Sequence, residues 1–301
     1  MSLALITGRG ALPAAVAAAQ DTRPLICTLD GHLPDGLTPD LSFRIEKLGG
    51  LLRELGKRGV TEVCFCGAID RPNISLTRLD ARTVPLLPAL SKAVGGGEDS
   101  ALRTVLGIFQ DKGFAVRGAH DLAPGLLPPS GVLTLAQPLE TTERDLSIAE
   151  GVHREQGRKD EGQSCVIRDG VVIATEDRRG TDAMLADLVS GPAAPPQPLG
   201  DDDPFGMTLD MVGGMLDGAA DWLSGPVAEA RAKGHGGVFF KAPKPGQDMR
   251  VDLPTIGPGT AERAIAAKLD GIVLAKGGVM VLDRDRVIDM LDDKGLFLWV
   301  R

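Results

Sequence analysis

Within Lys241–Thr260 (KAPKPGQDMRVDLPTIGPGT) lie three cations, two carboxylates and four prolines. Ammonium and guanidinium groups offset phosphate charge, and a carboxylate can orient water or hold a divalent cation. The mixture points to chemistry on a phosphorylated ligand. Prolines fix φ and remove backbone donors, so ordinary helix is excluded here. Lys241 and Lys244 sit in a Pro-spaced run. Polyproline II has three residues per turn, which would align both ammonium groups along one edge. Arg250-Val251-Asp252-Leu253 reads as a short strand ended by Pro254. The same composition suits a solvated, Pro-stiffened loop, and stiff loops of mixed charge often carry sites.

Further carboxylates lie within reach of this stretch in the sequence pattern. Asp248 and Asp252 flank Arg250, while Glu176, Asp177 and Asp182 flank Gly180-Thr181. Magnesium takes a few oxygen ligands and leaves room for water and substrate phosphate. Most of these acids read as caps or surface charges. Asp252 and Asp182 are the two candidate metal ligands. His120 follows a strand and could bind or donate, although a lone His is more often structural. The common hydrolase, zincin and NTPase signatures G-x-S-x-G, H-E-x-x-H and the P-loop lysine are absent from the sequence.

These residues need elements to position them. Leu3–Thr7 is a short apolar strand, Gly8-Arg9-Gly10 a loop, and Ala11–Gln20 a helix with Pro13 near its first turn. Gly8-x-Gly10-x-x-Pro13 lacks the third glycine of the dinucleotide fingerprint, and Asp30 stands where a ribose carboxylate would. Its N–H groups could still meet a phosphate. Strands then alternate with helices: Pro24–Leu29, Ser42–Leu48, Val60–Cys66 and Phe114–Arg117 against Gly49–Arg58, Leu86–Val94 and Ser100–Lys112. That alternation predicts a parallel sheet. The Pro/Gly-rich run 124–131 marks the domain boundary. Beyond it, Leu139–Gly157 is helical with Thr141 or Thr142 as cap. Asp169-Gly170 joins the hairpin strands Cys165–Arg168 and Val171–Thr175. Ala183–Val189 is a helix. Val238–Lys241 is a strand, Ala261–Leu269 a helix, Gly271–Ala275 and Val279–Asp283 are strands, Arg284–Lys294 a helix and Leu296–Val300 the last strand. The reading is α/β in two domains: residues 1–130 with a Rossmann-like parallel sheet, and residues 131–301 as a mixed α/β catalytic domain. The second carries an extended segment near 190–236. Within that segment, Met207–Leu223 offers a flexible apolar surface that could cover an acyl chain, pack in a core or meet a second copy.

Composition sets limits on function. A net charge of −8 leaves no basic surplus for general nucleic-acid binding, and 3% aromatic content without Tyr removes stacking platforms. The four cysteines form no C-x-x-C, and three fall in apolar strand-like runs, which suits buried reduced thiols. No charged leader with an apolar core opens the chain, and no run nears the roughly 18 apolar residues of a membrane span. The expectation is a cytoplasmic protein.

Taken together, GRGALP (Gly8–Pro13), the G-x-x-x-R-P loop (Gly67–Pro72), GED (Gly97–Asp99), GAH (Gly118–His120), Gly162-Gln163, GTDAML (Gly180–Leu185), Lys241–Pro258 and the closing GLFLWV form a pattern. By this pattern the chain resembles the LpxI-type UDP-2,3-diacylglucosamine diphosphatases of lipid A synthesis. The resemblance implies water attack on the α-phosphorus, releasing UMP and 2,3-diacylglucosamine 1-phosphate (lipid X). It implies magnesium, with manganese as the other metal, a homodimer, two domains with the lipid between them, and peripheral contact with the inner membrane. The catalytic carboxylate of the family falls on Asp252, as metal ligand or water-orienting base. Lys241, Lys244 and Arg250 would meet the diphosphate, and Thr181, Asp182 and Thr255 would surround it. Gly10, Ala11 and Leu12 would face ligand, with Gln163 and His120 as further contacts. Arg9 departs from the family's G-G-G-A-L-P opening, and Ser190–Gly236 is longer than the family norm. Two other readings stand beside this one: a nicotinamide-dependent oxidoreductase using the N-terminal loop, and a non-catalytic UDP-sugar or lipid-binding module.

Overall fold

The computed structural model describes residues 2–69, 78–95, 98–190 and 236–301. By its internal contacts the chain divides into two compact units. One comprises Met1–Leu127 and Gly246–Leu253, the other Pro128–Pro245 and Pro254–Arg301. Gly246–Leu253, which carries Asp252, thus groups with the N-terminal unit. Asp70-Arg71-Pro72 and Met207–Leu223 lie outside the described residues.

The first unit is built on β1 (Ser2–Thr7), β2 (Leu25–Leu29), β3 (Leu41–Phe43), β4 (Val60–Cys66) and β5 (Ala115–Arg117). All are parallel, in the order β3-β2-β1-β4-β5. The alternation of strand and helix therefore gives the parallel sheet expected of it. The helices are α1 (Leu12–Ala18), α2 (Leu48–Lys57), α3 (Leu87–Gly95), α4 (Glu98–Asp111) and α5 (Ala119–Leu122). On α2 the buried leucines 48, 51, 52 and 55 fall at i, i+3, i+4 and i+7, one face of a helix. That period also corrects the third strand. Only Leu41–Phe43 pairs with β2, and Ile45–Lys47 is a 3-10 turn running straight into α2. Leu48 serves the helix face and not a strand.

The second unit carries a mixed sheet in the order β6-β13-β11-β9-β7-β8. Its strands are β6 (Gly131–Val132), β7 (Ser164–Arg168), β8 (Val171–Thr175), β9 (Val238–Lys241), β11 (Gly271–Leu274) and β13 (Phe297–Val300). A separate parallel pair joins β10 (Thr255–Ile256) to β12 (Met280–Val281), so the expected strand Val279–Asp283 shrinks to two residues outside the main sheet. Side chains alternate across the sheet. Val166 and Phe239 join the core formed with α7 (Thr181–Ser190), α8 (Pro258–Ala266) and α9 (Arg284–Asp292). Cys165, Ile167, Val238 and Phe240 join Leu146 and Ala149 of α6 (Thr142–Lys159).

Asp169 and Gly170 take φ of 49° and 82°, the two positive values that a type I′ hairpin turn needs. The Asp145 carboxylate on α6 accepts both of their N–H groups, at 3.1 and 2.7 Å. Neither threonine caps α6. Thr141 has helical φ and ψ where a capping residue would be extended, and its side chain makes no cap bond. The Thr142 hydroxyl is buried with no partner among the described residues. All four cysteines are buried and unbridged. Burial pushes the thiols of Cys27 and Cys165 up to about 12, so neither offers a thiolate. No described helix is long and apolar enough to cross a membrane.

Candidate active site

In the first unit the loops after β1 and β4 close on each other. Gly8 N–H donates to the Cys66 carbonyl (2.9 Å), and Arg9 and Ala68 exchange N–H···O bonds of 2.8 and 2.9 Å. A Cβ on Gly8 would stand 2.3 Å from the Ala68 oxygen, and Gly67 has φ of +92°. The glycines serve this close approach. The N–H groups of Gly8 and Arg9 are spent on backbone carbonyls, where a dinucleotide loop would aim them at pyrophosphate. Gly10 follows with φ of +94°, then exposed Ala11 and half-buried Leu12, the residue that opens α1. The Arg9 side chain is exposed. His120 lies in α5, with Nδ1 buried and without a hydrogen-bond partner among the described residues. Its Nε2 stands 3.5 Å from Asp121 Oδ1.

Gly246–Leu253 is a turn, which corrects the strand expected over Arg250–Leu253. The Val251 and Asp252 N–H groups both donate to the Asp248 carbonyl at 3.1 Å. Arg250 folds back onto the Asp248 carboxylate, with Nε–Oδ1 of 2.9 Å and Nη2–Oδ2 of 2.6 Å. The hydrogen-bonded guanidinium holds the Asp248 carboxyl below its ordinary range. Val251 packs on the first unit's core. Local side-chain bonds of this kind compete with a sheet ladder, and here they prevail. Buried Gln247 donates through Nε2 to Asp252 Oδ2 at 2.5 Å. Asp252 itself is half-buried.

The second unit gathers a different group. Lys241 is the last residue of β9 and only 3% exposed. Its Nζ donates to Thr181 Oγ1 at 2.7 Å and stands 3.5 Å from Glu176 Oε2. The same Oε2 accepts from Ser164 Oγ (2.5 Å), Thr181 Oγ1 (3.0 Å) and the Gln163 N–H (3.4 Å). Gly162 permits this approach: a Cβ there would lie 2.2 Å from the Glu176 carbonyl oxygen. Gln156 donates to the carbonyls of Ser164 and Glu176. His153 bonds the Ala242 carbonyl through Nε2 at 3.0 Å. Burial, together with the Lys241 charge, holds its imidazole below the usual range.

Lys241 and Lys244 therefore do not line one polyproline edge. Sheet pairing takes Lys241, and Lys244 reaches Asp160 Oδ1 at 2.6 Å. Asp182 stands in the first turn of α7, exposed, with Arg263 Nη2 at 3.2 Å. Thr255 lies in β10, half-buried. Among the described residues no three His, Cys, Asp or Glu side chains cluster as a metal site. The structure thus brings Lys241, Thr181 and the Gln163 backbone together around Glu176. It also joins Asp252 to Gln247. Glu176 was visible only as one of several acids near Gly180-Thr181. Its place directly after the apolar strand Val171–Thr175 was the available signal for burial. Ser164, Gln156 and His153 carried no signal.

The sequence profile of the LpxI N-terminal domain matches residues 2–126. That of the LpxI C-terminal domain matches residues 129–194 and 216–299, leaving unmatched 195–215, which fall inside the long segment before β9. A curated relative from Caulobacter vibrioides, UDP-2,3-diacylglucosamine pyrophosphatase LpxI, is 36% identical over 98% of this chain and 96% of its own. Both domains match in order along nearly the whole sequence, and the chain belongs to the LpxI family.

Proposed function

We propose that this chain hydrolyses the diphosphate of UDP-2,3-diacylglucosamine to UMP and lipid X in lipid A biosynthesis. The observation that carries this is the 36% identity, over nearly all of both chains, to a pyrophosphatase of that substrate. Water adds to the α-phosphorus, the bond from that phosphorus to the bridging oxygen breaks, and the bridging oxygen leaves on lipid X.

Asp252 is the catalytic carboxylate in this reading. It sits on a turn braced by the Asp248 carbonyl and is oriented by the Gln247 amide. Lys241, Lys244 and Arg250 supply positive charge for the diphosphate. Gly10, Ala11, Leu12, His120, Gln163, Thr181 and Thr255 are further substrate contacts. Magnesium usually uses one or two carboxylates and takes its other ligands from water and substrate phosphate. A single half-buried carboxylate such as Asp252 fits an ion shared with the substrate. When bound, such an ion polarises phosphoryl oxygens. Asp182 would have to release Arg263 to take part. The resemblance further supports a homodimer and peripheral contact with the inner membrane, which light scattering and liposome flotation would check.

The test is UMP release from UDP-2,3-diacylglucosamine with magnesium, with manganese and with chelator, for the wild type and Asp252→Ala. Metal-dependent release lost in the variant is expected. Binding without release would make the chain a lipid-binding module and end the proposal. In heavy-oxygen water the label is expected in UMP, and label in lipid X would reject attack at the α-phosphorus.

A further inference from the structure

Four donors converge on one carboxylate oxygen that none of the substrate-contact assignments includes. Glu176 Oε2 accepts from Ser164, Thr181, Lys241 and the Gln163 backbone, and the residue is 8% exposed. Thr181 is half-buried and opens α7, so it is the more accessible end of this group. Lys241 lies deeper, and its ammonium reaches Thr181 Oγ1. The stack runs from a buried carboxylate, through a buried cation, to a hydroxyl at a helix N-terminus. First-turn N–H groups there have no intrahelical acceptor and favour negative charge.

We infer that Glu176 is a positioning residue for the substrate: it holds the Lys241 ammonium in register with Thr181, and so sets the geometry in which both meet a phosphate oxygen. This rests on the proposed diphosphatase reading, because Lys241 and Thr181 are substrate contacts only there. The physical argument is local. A buried ammonium needs an opposite charge nearby, and a shared acceptor fixes both donors relative to each other. Thr181 donates its single hydroxyl proton to Oε2, which turns its lone pairs toward Lys241. Ser164 bonds the same oxygen from β7 and faces Lys241 in the β7–β9 ladder; Ser164→Ala keeps that backbone pairing and removes only the hydroxyl, so it separates positioning from scaffolding.

The test compares the wild type, Glu176→Gln, Thr181→Ala, Ser164→Ala and the double variant Glu176→Gln/Thr181→Ala. Each is assayed for steady-state UMP release and, by calorimetry, for binding of UDP-2,3-diacylglucosamine. Contacts made equally in ground and transition states appear in KM. Glu176→Gln is expected to raise KM and Kd about tenfold with kcat within threefold, and Ser164→Ala to leave KM within twofold. Because Glu176 positions Lys241 and Thr181 together, the double variant is expected to raise KM by clearly less than the product of the two single effects. A Glu176→Gln KM within twofold of wild type overturns the inference. So does a Ser164→Ala KM raised as far as that of Glu176→Gln, or full additivity in the double variant. If Glu176→Gln does not fold, Glu176→Asp keeps the charge and shortens the reach. It is expected to raise KM at least threefold, and an unchanged KM overturns the inference. A wild type without turnover would end the diphosphatase proposal, while the Kd comparison would still decide the role of Glu176.

Discussion

Gln247 donates its side-chain amide to Asp252 Oδ2, and both residues belong to the same turn. The bond fixes which way the carboxylate faces. Residues that orient a metal-holding or catalytic carboxylate typically contribute 10–100-fold in activity. Asp252→Ala is expected to lower kcat by roughly 1,000-fold or more with substrate Kd kept within about threefold, the pattern of a group acting in the transition state. Gln247→Ala keeps the carboxylate and removes the amide that orients it, so kcat is expected to fall about 10–100-fold. A Gln247→Ala enzyme at wild-type kcat would show that the amide bond is incidental.

His153 gives the second unit a pH dependence. Burial and the Lys241 charge lower its folded-state pKa below the ordinary 6.5. A depressed pKa means that the folded state disfavours the protonated ring. The contribution is therefore fully present above pH 6.5 and is lost as pH falls through the folded value. Denaturant unfolding should show stability declining from pH 7 toward 5. The depressed carboxylates Asp40, Asp177 and Asp248 act in a separate, more acid window, since their ordinary value is 3.8. His153→Gln cannot titrate, so its stability should vary less between pH 7 and 5. Equal slopes for the variant and the wild type would assign the decline elsewhere.

Opposite signs are expected for two glycine substitutions in the first unit. Gly67→Ala places a side chain at φ of +92° and 2.8 Å from the Arg9 carbonyl oxygen. Strain of that kind costs about 1–3 kcal/mol before the overlap is counted. Gly107 lies inside α4, and a Cβ there meets nothing within 4 Å. Gly107→Ala should therefore stabilise by about 0.5–1 kcal/mol. Thermal melts that shifted both proteins in the same direction would refute the close-approach account of the β1 and β4 loops.

The first unit was the more legible half because its central strands carry buried runs beside glycine loops: Ala4–Thr7 in β1, Ile26–Leu29 in β2 and Val63–Cys66 in β4. Val60–Cys66 was readable to the residue for that reason. The Asp169-Gly170 hairpin was equally plain, since positive φ at both positions suits few residue pairs. The track of Lys241 to Leu253 was not. Its prolines exclude helix but do not say where each cation goes. Lys241 was taken by sheet pairing, Lys244 by Asp160 and Arg250 by Asp248. Those partners are set by tertiary placement, which local spacing does not encode. Glu176 was hidden for the same reason: its donors come from β7, β9 and α7.

The Lys241–Glu176 pair also sets a stability expectation. Side-chain exposure is 3% for Lys241 and 9% for Glu176. Removing one partner of a buried ion pair costs about 3–5 kcal/mol, because the other charge stays out of water uncompensated. Lys241→Met is expected at the low end, about 3 kcal/mol, since Ser164 and Thr181 still donate to the carboxylate. Removing both charges should recover much of that loss, because well-packed apolar residues of similar volume often replace a buried pair at little cost. Urea unfolding of Lys241→Met and of Lys241→Met/Glu176→Leu measures both steps. If the double variant is less stable than the single by the full cost of a second independent mutation, the two charges are not coupled. The network around Oε2 would then owe its stability to its hydroxyl and amide donors instead.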